Sequence, residues 1–133
     1  MSPMQDLREY IDDYVSQLSG PTADDAWHGL VEAGSAALQH VVRAFAAATD
    51  ANVRLALVQV VSEWRSVEGV PFLAAQLRDS DAAIWKAALD GMVTAGGPAA
   101  LEALHFASGR STPEQREWID EAIEQILDPQ RSD

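Results

Sequence analysis

The run Leu77-Arg78-Asp79-Ser80-Asp81-Ala82-Ala83-Ile84-Trp85-Lys86-Ala87-Ala88-Leu89-Asp90-Gly91-Met92 ends one apolar helical segment, turns through three polar residues and opens an alanine-rich second one. The pattern recurs after a shift of 31 residues: Asp50 falls on Asp81, Val53 on Ile84, Ala56 on Ala87, Val58 on Leu89, Val61 on Met92, Val70 on Leu101 and Leu73 on Leu104. A shift of 62 places Gly29-Leu30-Val31-Glu32-Ala33-Gly34 on Gly91-Met92-Val93-Thr94-Ala95-Gly96. Self-similarity at such a period is the mark of stacked supersecondary units, since one helix pair cannot bury its apolar face alone.

Working outward, nearly every segment has helical periodicity, and β-branched alternation is missing. Leu7, Ile11, Tyr14, Val15 and Leu18 trace one face of a first helix, stopped by Gly20-Pro21. Thr22 is placed to cap a second helix ending near Gly34, and a third is lined by Leu38, Val41, Val42 and Phe45. A fourth carries Val53, Leu57, Val60, Val61 and Trp64, and a fifth runs from about Glu68 to Arg78. The sixth spans about Ala82 to Ala95, Gly96-Gly97-Pro98 stops it, and a seventh reaches about Ser108. Ser111-Thr112-Pro113-Glu114 is a strong start signal for the eighth, with a capping hydroxyl followed by proline at the first helical position. The expectation is an all-α single domain. Three helix pairs, over about residues 22–49, 50–79 and 80–109, form a short right-handed α-solenoid between cap helices 4–18 and 113–127.

The junction 77–89 resembles that of bacterial HEAT-like repeats, the type found in bilin lyase subunits. There a leucine-ended helix turns through Asp-x-Asp and continues as apolar, Arg, basic, Ala, Ala. Asp50-Ala51-Asn52-Val53-Arg54-Leu55-Ala56 resembles it too, with Arg54 at the arginine position, and Gly69-Val70-Pro71-Phe72-Leu73 looks like the start of a second helix. The likeness covers about residues 22–109. It implies a fold and carries no activity with it. Two departures stand out: Trp85 occupies the arginine position, and the first unit lacks the Asp-x-x-apolar-Arg entry.

The chain has 133 residues, 47% hydrophobic and 23% charged, enough for one core without staples. It contains no cysteine, which excludes disulfide and thiolate chemistry. The start Met1-Ser2-Pro3-Met4-Gln5-Asp6 lacks the basic and apolar regions of a secretory signal, and no apolar run approaches a membrane span, so the expected location is the cytoplasm. Eight arginines to one lysine, with abundant alanine, suggest a bacterial genome rich in G and C.

The net charge is −12, from 9 basic and 21 acidic residues. Residues 1–25 contribute −5 and residues 110–133 contribute −4. Nucleic acid and anionic membrane surfaces are disfavoured, whereas a basic protein partner would be attracted and steered.

No catalytic constellation emerges. Asp79-Ser80-Asp81 begins like a calcium loop, but position six is Ile84 instead of glycine and position twelve is Asp90, not glutamate. His28, His40 and His105 lie on three different helices without the i, i+4 spacing of a helical metal site, and read as scattered solvent-facing residues. Neighbouring acids such as Asp12-Asp13 point in different directions along a helix. No catalytic residue, cofactor or metal is therefore expected.

Binding surface remains. Trp27 and Trp118 fall at core positions of their helices and Trp64 packs at the end of its own, while Trp85 either seals the next unit or anchors a partner. On the second helices of the pairs, Gln39, His40, Arg43, Gln76, Glu102 and His105 are expected to point outward and, with Trp85, to form the candidate partner-binding set. The expected function is protein–protein interaction, in its most concrete form an acidic immunity protein acting as inhibitor of a basic toxin such as a nuclease. The alternatives are a subunit or regulator of a lyase-type enzyme, or a structural adaptor.

Overall fold

The computed structural model describes residues 3–130, with side chains from Asp6 onward. It consists of eight helices: α1 (Pro3–Gln17), α2 (Ala23–Ala33), α3 (Leu38–Ala47), α4 (Ala51–Glu63), α5 (Val70–Gln76), α6 (Ala82–Ala95), α7 (Gly97–Ser108) and α8 (Pro113–Leu127). Short 3-10 turns at Ser35–Ala37 and Val67–Gly69 lead into α3 and α5. Among the described residues no strand occurs and no helix is long and apolar enough to cross a membrane.

Local chemistry explains the helix ends. Asp50 caps α4 by accepting from the N–H groups of Asn52 and Val53, at 2.8 and 3.1 Å. Asp81 caps α6 by accepting from Ala83 N–H at 2.9 Å, and Thr112 caps α8 through Gln115 N–H at 3.2 Å. Each satisfies a donor that would otherwise have no partner in the first helical turn. Thr22 differs from expectation. It occupies the position before α2, but its hydroxyl donates to Gln17 Oε1 at 3.2 Å and caps nothing.

The first helices of the expected pairs end alike. Gly34 and Gly96 follow α2 and α6 at φ of 78° and 62°, and their N–H groups donate to Val31 and Met92 carbonyls. The matching residue after α4 is Arg65, also left-handed at φ 51°. Residues 34, 65 and 96 are spaced by thirty-one, the sequence period, and α4 makes that turn without a glycine.

Packing joins neighbours in order. The α4–α6 contact is the most extensive, with α2 on α4, α1 on α2 and α3, α5 on α6 and α7, and α8 on α6 and α7. One continuous core runs through them, from Ile11 and Leu30 through Leu57, Ile84 and Leu104 to Ile119, each essentially sealed from solvent. Burying a side chain of this size contributes ~1.5–3 kcal/mol, so the shared interior is the main source of stability. Gly29 and Gly91 mark close approaches: a methyl at Gly29 would run into the Tyr14 ring of α1, and one at Gly91 into Ser62 of α4.

Candidate binding surfaces

The structure separates the residues expected to form one partner-binding set. Gln39 and Arg43 are exposed on α3, and Glu102 and His105 on α7. Gln76 is half-buried and donates to Phe72 carbonyl on its own helix at 2.9 Å. His40 is a correction to the outward set, since only 5% of its surface remains accessible, and Trp85, at 6%, takes the sealing role of its two expected ones and is not free to anchor a partner.

His40 turns inward because α3 is covered by α1 as well as by α4. Its Nδ1 lies 3.3 Å from the Arg43 guanidinium, and its buried Nε2 has no hydrogen-bond partner among the described residues. Arg43 also approaches Asp12 of α1 at 4.0 Å, a long and half-exposed contact of little energetic weight.

Trp85 packs edge-on against Trp118 of α8, with ring centroids 5.9 Å apart. The Lys86 ammonium sits 4.5 Å from the Trp118 ring centre and 5.5 Å from that of Trp85. Trp85 thus joins α6 to the last helix. Trp118, expected in the core, instead leaves 46% of its surface exposed. Trp64 closes α4 and donates its indole N–H to Val31 carbonyl at 3.1 Å, tying α4 to the end of α2. Trp27 is half-buried against the core.

A feature the sequence reading missed is a groove of about 790 Å³ between α5 and α7. Val67, Pro71 and Ala75 line one side, and Ala99, Ala103 and Phe106 the other. Val67 and Phe106 are each 62% exposed, unusually open for apolar side chains of their size. Arg78, Arg110 and Glu102 supply its charges, and Ser111 and Gln115 also line it. Arg110 stacks over Phe106, its guanidinium carbon 4.4 Å from the ring centre. Neither arginine has a carboxylate partner among the described residues. A signal was present in Phe106, which breaks the Leu101–Leu104 stripe, but the groove depends on helices some thirty residues apart.

Charge is segregated by element. Asp6, Glu9, Asp12 and Asp13 are exposed on α1, and Glu114, Glu117, Asp120, Glu121 and Glu124 on α8. In contrast, α3 and α5 contain no acid, and α7 contains only Glu102. Among the described residues, no group of three or more His, Cys, Asp or Glu side chains could hold a metal ion. The turn Asp79-Ser80-Asp81 is taken up by the fold itself, because Asp79 accepts from Asp81 N–H at 2.8 Å and pairs with Arg54.

No protein-family model matches the chain, and no curated protein sequence matches it.

Proposed function

We propose that the chain is a non-catalytic protein-binding module whose acidic ends dock a basic partner protein. Its architecture is read as a short right-handed α-solenoid of three HEAT-like helix pairs, α2–α3, α4–α5 and α6–α7, capped by α1 and α8. The thirty-one-residue spacing of the left-handed turns at Gly34, Arg65 and Gly96 supports that reading, as does the order in which neighbouring helices pack. The most concrete form of the function is an immunity protein that neutralises a basic toxin, such as a nuclease, by covering its active site.

The observation that carries the functional reading is the placement of exposed carboxylates on α1 and α8, at the two ends of the packing order. Clustered charges of one sign raise the encounter rate with a cationic protein and disfavour a polyanion.

The test is to titrate the purified chain with the product of the adjoining gene and to follow association by stopped flow. The expected result is a complex whose association slows about tenfold or more between ~50 mM and ~0.5 M salt. Replacing Glu114 and Glu117 together by lysine should slow it further at low salt. Absence of a complex, or association indifferent to salt, overturns the reading.

A further inference from the structure

We infer that the groove between α5 and α7 is a binding site for a small amphipathic carboxylate, a ligand with an apolar body and one anionic head. The inference goes beyond the docking of a basic protein and does not depend on it, because the groove is centred on α5 and α7, touches α8 only at Gln115, and carries two arginines against one glutamate.

Size sets the first constraint. A volume of about 790 Å³ falls within the ~300–1,000 Å³ range of small-molecule sites. The walls select an apolar body: alanines leave room above the helix backbones, while Val67 and Phe106 are largely exposed, Phe106 covered on one face by Arg110 alone. Water against these side chains is released when an apolar chain or ring takes its place.

Charge selects the head group. In a chain of net −12, this groove carries two arginines against one glutamate. Arg78 and Arg110 have no carboxylate partner among the described residues, although acids are more than twice as abundant as bases in the chain. The stacking of Arg110 on Phe106 holds a guanidinium beside the apolar wall and leaves its charge uncompensated. A guanidinium presents a planar fork of donors that matches a carboxylate. Glu102 lines the same groove and, with the overall negative field, disfavours a more highly charged head such as a phosphate monoester, which carries about −1.5 to −2 at neutral pH. Gln115 adds a neutral amide to the lining, whereas the Ser111 hydroxyl is already donated to the Ala107 carbonyl at 2.6 Å.

The test uses the full chain and three probes of equal chain length at constant ionic strength: decanoate, decanol and decyltrimethylammonium. Binding is followed by amide chemical shifts in nitrogen-15-labelled protein. Decanoate should produce saturable shifts confined to α5, α7 and the start of α8, with decanol weaker and the cation weakest at those residues. Because net charge alone predicts the reverse order, the ranking is diagnostic. Replacing Arg78 and Arg110 together by glutamine should weaken decanoate binding about tenfold or more. Ala103→Phe, which fills the groove, should abolish it in a protein whose far-UV circular dichroism is unchanged. The inference is overturned by absence of saturation, by shifts centred on α1 or α8, by equal binding of the cation in the groove, or by indifference of decanoate to loss of both arginines. It is also overturned if sedimentation shows a dimer whose groove signals are already protected, which would assign the surface to a second copy.

Discussion

Arg54 donates to Asp79 Oδ2 at 3.0 Å, joining the first turn of α4 to the turn between α5 and α6. The Asp79 side chain is only 9% exposed, and its other oxygen accepts from Asp81 N–H. The same guanidinium lies 4.4 Å over the Phe45 ring, which packs edge-on against Phe72 at 5.2 Å. One side chain thus ties α4 to α3 and to the turn that leads from α5 into α6. Removing it leaves a nearly buried carboxylate with reduced compensation, the costly case for an ion pair. Arg54→Ala should lower unfolding free energy by ~2–3 kcal/mol, discounted for the 28% exposure of the arginine. Urea denaturation of the two single variants and the Arg54→Ala/Asp79→Ala double variant checks this. A coupling energy below about 0.5 kcal/mol would mean the pair does not act as a unit.

Trp85 stands thirty-one residues beyond Arg54, and the residue thirty-one beyond Asp79 is Arg110, not an acid. An arginine at 85 would lack the partner that Arg54 has. The tryptophan instead meets Trp118 of α8. Since Trp85 is buried and Trp118 nearly half exposed, the two should respond unequally to truncation. Trp85→Ala is expected to cost ~3–5 kcal/mol, and Trp118→Ala only ~1–1.5 kcal/mol, chiefly the aromatic pair. Melting curves of the two variants discriminate the roles. Equal losses would mean that Trp118 carries more packing than its exposure implies.

The helix boundaries were legible in the sequence because short-range chemistry writes them. Gly20-Pro21, Gly96-Gly97-Pro98, Thr112-Pro113 and the capping acids Asp50 and Asp81 all act within four residues of themselves. Burial was less legible. Helical period identifies one apolar face, but α3 is packed by α1 and α4 from different sides, so His40 is buried off the Val41–Phe45 stripe. At the end of the packing order the reverse holds: Ile119, Ala122 and Ile123 of α8 are buried, while Trp118 and Leu127 at the margins of that stripe are not fully covered by another helix among the described residues. The groove was invisible for a related reason, since it belongs to two helices that are remote in sequence and individually unremarkable.

The capping aspartates provide a contrast with Thr22. Asp50→Ala and Asp81→Ala each remove acceptors for N–H groups at a helix start and should each cost ~1 kcal/mol. Thr22→Ala removes only an exposed hydroxyl contact to Gln17 and should cost less than about 0.5 kcal/mol. Guanidinium denaturation with unchanged m-values is the appropriate measurement. A Thr22 effect as large as that of Asp50 would place a capping bond there that the structure does not have.

Arg65 offers a stabilising substitution. Gly34 and Gly96 combine a positive φ with an extended ψ of −178° and −167°, and Arg65 shares the positive φ, at 51°. For a residue with a side chain this conformation costs ~1–2 kcal/mol, whereas glycine enters it freely but loses more chain entropy on folding, by ~0.5–1 kcal/mol. The Arg65 side chain is exposed and forms no ion pair among the described residues, so little packing is forfeited. Arg65→Gly should therefore raise unfolding free energy by ~0.5–1 kcal/mol. Gly34→Ala and Gly96→Ala should each lower it by ~1–3 kcal/mol, since a methyl meets nothing at Gly34 and only Val93 carbonyl at 3.8 Å at Gly96, and the penalty is the positive φ with extended ψ that favours glycine alone. Thermal melts of the three variants give the signs directly. Destabilisation by Arg65→Gly would mean that its side chain, and not its positive φ, decides the stability of that segment.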